Sequence, residues 1–109
     1  MAEINLGDLT AGGEVRNLTA HERGVAARVH YGLDQLDIGA EVVTVIVPPE
    51  IFTLTPSFFQ GMFAESVRHF GSRESFLQHY SFDASNLILK QIDRGISASQ
   101  MRRGELLSA

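Results

Sequence analysis

The residues of this chain best suited to chemistry lie in one run, Leu54-Thr55-Pro56-Ser57-Phe58-Phe59-Gln60-Gly61, where two hydroxyls flank a proline ahead of two aromatic rings. At a helix start a hydroxyl can satisfy an orphan backbone N–H or help hold an anion. Two capping registers are open. Thr55 as N-cap puts Pro56 at the first helical position, where its missing N–H costs nothing. Ser57 as N-cap puts Gln60 three residues on and completes a capping box. The sharper use of Ser57 is as a regulatory hydroxyl or part of an anion site. A phosphate there adds about −1.5 to −2 charge, which a helix N-terminus tolerates and an apposed acidic or apolar partner does not. Phe58 and Phe59 stand about 100° apart on a helix, so one can enter the core while its neighbour leans outward. An exposed ring of this pair would anchor a partner. Thr55, Ser57, Phe58, Phe59 and Gln60 are therefore the candidate docking residues, with Ser57 as the candidate phosphorylation site.

Other constellations are weaker. His21 and His30 are nine residues apart on one predicted helix and face opposite ways, and His69 and His79 straddle Gly71. With no thiolate and no His-x-x-x-His pair, neither a metal site nor another cofactor is expected. Asp34 and Asp37 read as a solvated face, or else as an acidic contact patch. Ser57, His79 and Asp83 can be drawn as a triad, but no nucleophile-elbow glycines surround the serine. Phosphate-loop and dinucleotide glycine motifs are absent as well, so a non-enzymatic role is expected. Lys90, Arg94, Arg102 and Arg103 form the only basic concentration. At the end of a helix they suit the dipole better than they suit phosphate reading.

The whole composition bounds these readings. With 109 residues, 44% hydrophobic and 20% charged, the chain can close one core. Net charge is −4, with −5 in residues 1–50 and +1 in residues 51–109, which leaves no basic footprint for nucleic acid. The absence of cysteine excludes disulfides and fits a reducing compartment. Glu3 and Asp8 interrupt the N-terminus, and no apolar run suggests a signal peptide or a membrane span. A cytoplasmic domain is expected.

Ile4 and Leu6 alternate with polar neighbours as in a short strand, and residues 10–13 read as a turn. Leu18, Val25, Val29, Leu33 and Leu36 follow helical spacing, with Thr19 and Glu22 in a capping-box pattern. Glu41 to Val47 is a valine-rich strand that suits burial on both faces and ends at Pro48-Pro49. Phe59, Met62, Phe63, Val67 and Phe70 mark a second helix closed by Gly71. Ser72 can cap a short helix bearing Phe76, Leu77 and Tyr80, and Ser81-Phe82 is a brief strand. A last helix carries Leu87, Ile88, Ile92 and Ile96. Together these elements predict an α/β layer sandwich with a central buried strand and about four helices. The domain is expected over residues 1–100, with a polar C-terminal tail over 101–109. In such folds a loop and helix start at the carboxyl end of a strand is the usual binding place.

Gly24, Ala27 and Arg28 in the first helix, then a strand, then Leu54-Thr55-Pro56-Ser57-Phe58 opening a helix, make the chain similar to the STAS-like family of bacterial domains of unknown function. Gly71, Phe76, Tyr80 and Phe82 extend the resemblance, which spans residues 15 to 96. It implies a fold related to anti-sigma-factor antagonists, in which a serine at this place is phosphorylated by a kinase-like anti-sigma ATPase. Ser57 matches that serine, and such an ATPase is the implied partner. A second copy pairing through a sheet edge or helix face is also compatible with the sequence. The alternative is a small-anion or nucleotide sensor that uses the same helix N-terminus.

Overall fold

The valine-rich run forms the middle of a sheet. In the computed structural model, which describes residues 2–12 and 15–108 with side chains through Gln100, β3 (Val43–Ile46) lies between β1 (Ala2–Asn5) and β5 (Tyr80–Asp83). Both pairings are parallel, with Val45 opposite Ile4 on one side and Phe82 on the other. Val43, Val45 and Val47 are buried, whereas Thr44 and Ile46 are half-buried, so one face of the strand is core and the other is partly covered. A second parallel pair joins β2 (Asn17–Leu18) to β4 (Thr53–Leu54).

Parallel neighbours need crossover connections, and helices supply them. A 3₁₀ turn (Leu6–Leu9), β2, α1 (His21–Tyr31) and α2 (Leu33–Ile38) lie between β1 and β3. After β3 come β4, α3 (Pro56–Phe70) and α4 (Arg73–His79), and α5 (Asn86–Ser108) follows β5. The described residues form a single α/β domain with five α-helices and small parallel sheets. α3 packs against both α1 and α5. Its buried stripe of Phe59, Met62, Phe63 and Val67 fills the centre with Phe76, Tyr80 and the β3 valines. Arg73 pairs with Asp93 and donates to Ser97 Oγ at 2.6 Å, tying α4 to α5. No helix among the described residues is long and apolar enough to cross a membrane.

The first helix departs from the expected pattern in three ways. Leu18 lies in β2, and the N-cap of α1 is Ala20, at φ 76° with no side-chain cap, so Thr19 and Glu22 form no capping box. The helix also stops early. Gly32, at φ 65°, adopts the left-handed conformation that glycine reaches without a β-carbon clash, and its N–H caps the Arg28 and Val29 carbonyls. One predicted helix is thereby two, α1 and α2, which accounts for five helices rather than four. Finally, the buried face is Gly24, Ala27 and Arg28, while Val29 is 77% exposed and Val25 points outward too.

Close approach of backbones explains that rotation. A β-carbon on Gly24 would stand 2.1 Å from the Phe58 carbonyl oxygen, and one on Gly61 would stand 2.1 Å from that of His21. α1 and α3 therefore cross glycine against glycine, and no larger residue fits at either position. At the far end, α5 continues as helix to Ser108, so the segment after Ser97 is helical and Ser99 is buried. The expected tail, residues 101–109, lies outside the residues whose side chains are described.

Candidate functional site

The start of α3 is built by strand pairing. β2 and β4 pair, and the Thr55 N–H extends the ladder by donating to the Leu18 carbonyl at 2.9 Å. Thr55 is thus held extended, at φ −70° and ψ 154°, the conformation of an N-cap. Its Oγ1 accepts from the Phe58 N–H at 3.2 Å, and Pro56 takes the first helical position. The Thr55 register is therefore the one adopted. Ser57 is second in the helix, exposed, and does not cap.

The two aromatic candidates differ from the docking expectation. Phe58 is 1% and Phe59 0% exposed. Phe58 sits beneath α1, and Phe59 stacks on Phe63 with centroids 5.1 Å apart and meets Phe76 edge-on. Neither ring can anchor a partner from the surface. The exposed aromatic of this region is Phe52, 53% exposed just before β4. Its N–H donates to the Arg16 carbonyl at 2.8 Å, and the Arg16 guanidinium lies 5.4 Å from its ring centroid. Gln91 of α5 closes the back of this loop by accepting from the Leu54 N–H at 2.9 Å. Leu87, one helical turn before Gln91 and therefore on the same face, is exposed. Gln60 is half-buried and lines a cleft of about 240 Å³ with His21, Val25, Glu65 and Arg68.

A second polar assembly, not anticipated from the sequence, lies beside the helix crossing. Arg28 is 8% and Asp37 6% exposed. Nη2 of Arg28 donates to Asp37 Oδ2 at 2.7 Å and to Asp34 Oδ1 at 2.8 Å, and Nε reaches Asp34 at 3.0 Å. Nη1 donates to the Met62 carbonyl and to Ser66 Oγ, each at 2.9 Å. The other oxygen of Asp37 accepts from Ser66 at 2.7 Å and from the Tyr80 hydroxyl at 2.5 Å. Glu65 adds an exposed carboxylate 3.3 Å from Nε. Burial alone would lower the Arg28 pKa, but hydrogen bonds and charge from Asp37 and Asp34 more than offset it and hold the guanidinium above its usual value. Burial, reinforced by Asp37, pushes the Tyr80 phenol upward. Among the described residues no buried side-chain polar atom lacks a hydrogen-bond partner. The assembly uses its hydrogen-bonding capacity internally, joining α1, α2, α3 and β5.

Asp37 is accordingly neither a solvated carboxylate nor part of an acidic contact patch, although Asp34 is largely exposed. The signal lay in Asp34 and Asp37, three apart on one face of α2 and just past the helix-ending Gly32, with Arg28 on the buried face of α1. Hydrophobic spacing could not reveal it. The histidines are scattered. His21, His30 and His69 are exposed, and His79 rests on Phe70 while its Nε2 donates to the Leu36 carbonyl at 2.7 Å. Phe70 ends α3 and Ser57 lies in its first turn, about 20 Å apart along the axis, so Ser57 and His79 do not form a triad. No group of three or more potential metal ligands occurs among the described residues. Comparison of the chain with protein-family models, with characterised proteins and with solved structures finds no match.

Proposed function

We propose that this protein is a non-enzymatic regulatory module, STAS-like in its finer fold, that docks a protein partner through the loop and helix start around Ser57. The observation that carries this reading is the division of labour between two hydroxyls. Thr55 caps α3, which leaves the exposed Ser57 hydroxyl unused at the positive end of a 15-residue helix. A phosphoryl group there would be tolerated by the helix dipole and would change the local charge by about −1.5 to −2. The surrounding surface suits docking: Phe52, just before β4, and Leu87 of α5 are exposed, and Arg16 lies over the Phe52 ring. Phe52 takes the anchoring role that the buried Phe58 and Phe59 cannot. The resemblance in residues 15 to 96 supplies the partner class, a kinase-like ATPase of the anti-sigma type, and a cytoplasmic setting goes with it.

The test is affinity capture from native lysate with three baits: wild type, Ser57→Ala and Ser57→Glu. The alanine variant removes no cap and should retain the partner, and the glutamate variant should lose it. An ATPase recovered by the first two baits and absent from the third supports the reading. Equal recovery by all three would refute the serine switch, and failure of Phe52→Ala to weaken capture would refute the anchor.

A further inference from the structure

Independently of the Ser57 reading, we propose that the hollow between α1, the 3₁₀ turn and the start of α3 is a binding site for a small carboxylate with an apolar body. On α1 the residues Arg23, Ala26, Ala27 and His30 line this hollow. Their spacing of three, four and seven residues places them on one helical face. The two alanines leave the middle of that face low, and Leu9, Leu18 and Phe58 complete the cavity. Ala27, Leu18 and Phe58 are buried, which makes the floor apolar. The volume is about 290 Å³, at the lower edge of the roughly 300–1,000 Å³ of ordinary small-molecule sites. That size suits a short acid.

Polarity divides the cavity into two parts. Arg23 and His30 stand at opposite ends of the alanine pair, about 10 Å apart along the helix axis. Arg23 has no hydrogen bond or ion pair among the described residues, although the chain as a whole is acidic. A guanidinium offers a planar fork that matches a carboxylate. The His30 ring is set edge-on against Tyr31, with centroids 4.8 Å apart, and Tyr31 is itself held by a hydrogen bond from its hydroxyl to the Asn5 carbonyl. A ligand with its carboxylate on Arg23 and its hydrocarbon over Ala26 and Ala27 would match charge to charge and apolar surface to apolar surface. Inorganic phosphate would leave the floor bare, and a neutral alcohol would leave Arg23 unpaired. Such a ligand would rest on Phe58, the residue after Ser57.

The experiment is a titration of the full chain with the straight-chain acids from butanoate to octanoate, followed by NMR of backbone amides and alanine methyls. Saturable shifts at Ala26, Ala27 and the Arg23 side chain are expected in the millimolar range. Hexanol and inorganic phosphate serve as controls and should bind at least about fivefold more weakly, since each lacks half of the match. Ala26→Leu fills the hollow from an exposed helical position that leucine suits, and should abolish the shifts. Arg23→Gln should weaken binding by about tenfold while the apolar contacts persist. Absence of saturable shifts with every acid would overturn the site. Undiminished binding by Ala26→Leu would move it elsewhere, and hexanol or phosphate binding as tightly as the acids would overturn the assigned chemistry.

Discussion

Replacing Gly24 by alanine sets two effects of opposite sign against each other. Helix propensity favours alanine over glycine by about 0.8–1 kcal/mol in an exposed helix interior. At this position the added β-carbon would stand 2.1 Å from the Phe58 oxygen and 2.8 Å from the Met62 nitrogen, where ordinary contact begins near 3.4 Å. Both obstacles are backbone atoms, so no rotamer change relieves them, and α1 and α3 must part by about 1.3 Å. The parting also strains the Arg28 bonds to the Met62 carbonyl and Ser66, which cross the same interface at 2.9 Å. Overpacking of this kind costs about 1–3 kcal/mol, and weakening a charged hydrogen bond adds up to about 1.5–3. After the propensity gain, a net loss of about 2–4 kcal/mol is expected for Gly24→Ala. Gly61→Ala should behave alike, since its β-carbon would meet the His21 oxygen. Equilibrium urea unfolding followed by circular dichroism measures this. With m of about 2 kcal/mol/M, the midpoint should fall by about 1–2 M without a change in m. A midpoint at or above that of the wild type would refute the glycine-on-glycine crossing, because propensity alone would then be acting.

The buried polar assembly should show a similar asymmetry. Asp37→Ala strands the Ser66 and Tyr80 hydroxyls and one edge of Arg28, and should cost about 3–5 kcal/mol, whereas Asp34→Ala, at an exposed carboxylate, should cost about 0–1. Urea midpoints at neutral pH compare the two variants, and equal losses would contradict the assigned burial. Alkaline pH offers a separate check. Burial, then the Asp8 charge, pushes the Tyr31 phenol up to about 12, and burial with Asp37 raises Tyr80 as well. The folded state therefore keeps phenolic protons that the unfolded chain releases near 10, and stability should fall as pH rises above that value. Urea midpoints recorded from about pH 9 to 11 should decline, and Tyr31→Phe should decline less steeply. A profile that stays flat or rises in the wild type would contradict the shifts.

Elements whose partners are interchangeable apolar surfaces were legible in the sequence. The β3 strand, the α3 stripe ending at Gly71 and the short helix capped by Ser72 all follow from local periodicity and end chemistry. α1 was legible as a helix but not in its orientation. Periodicity weighs side chains by hydrophobicity, so it turned Val25 and Val29 inward. It gave no credit to Gly24, whose value at the crossing is the side chain it lacks. Arg28 escaped for a related reason. Its burial is tolerable only with Asp37, Ser66, Tyr80 and the Met62 carbonyl around it, and three of those four lie more than thirty residues from it.

The helix start around Ser57 shows how far local reading can reach. Thr55 and Ser57 both satisfy the rules for an N-cap, and nothing within the eight residues chooses between them. The choice comes from Leu18, thirty-seven residues earlier. Its carbonyl accepts the Thr55 N–H, extends the β2–β4 pairing by one residue and holds Thr55 in the extended conformation that an N-cap requires. Helix then begins at Pro56, and Ser57 is exposed with no capping duty. Shortening the ladder by one residue would remove the restraint on Thr55 and bring the Ser57 register back into competition. The availability of the Ser57 hydroxyl is thus a property of a two-residue strand pairing rather than of the Thr-Pro-Ser-Phe turn that contains it.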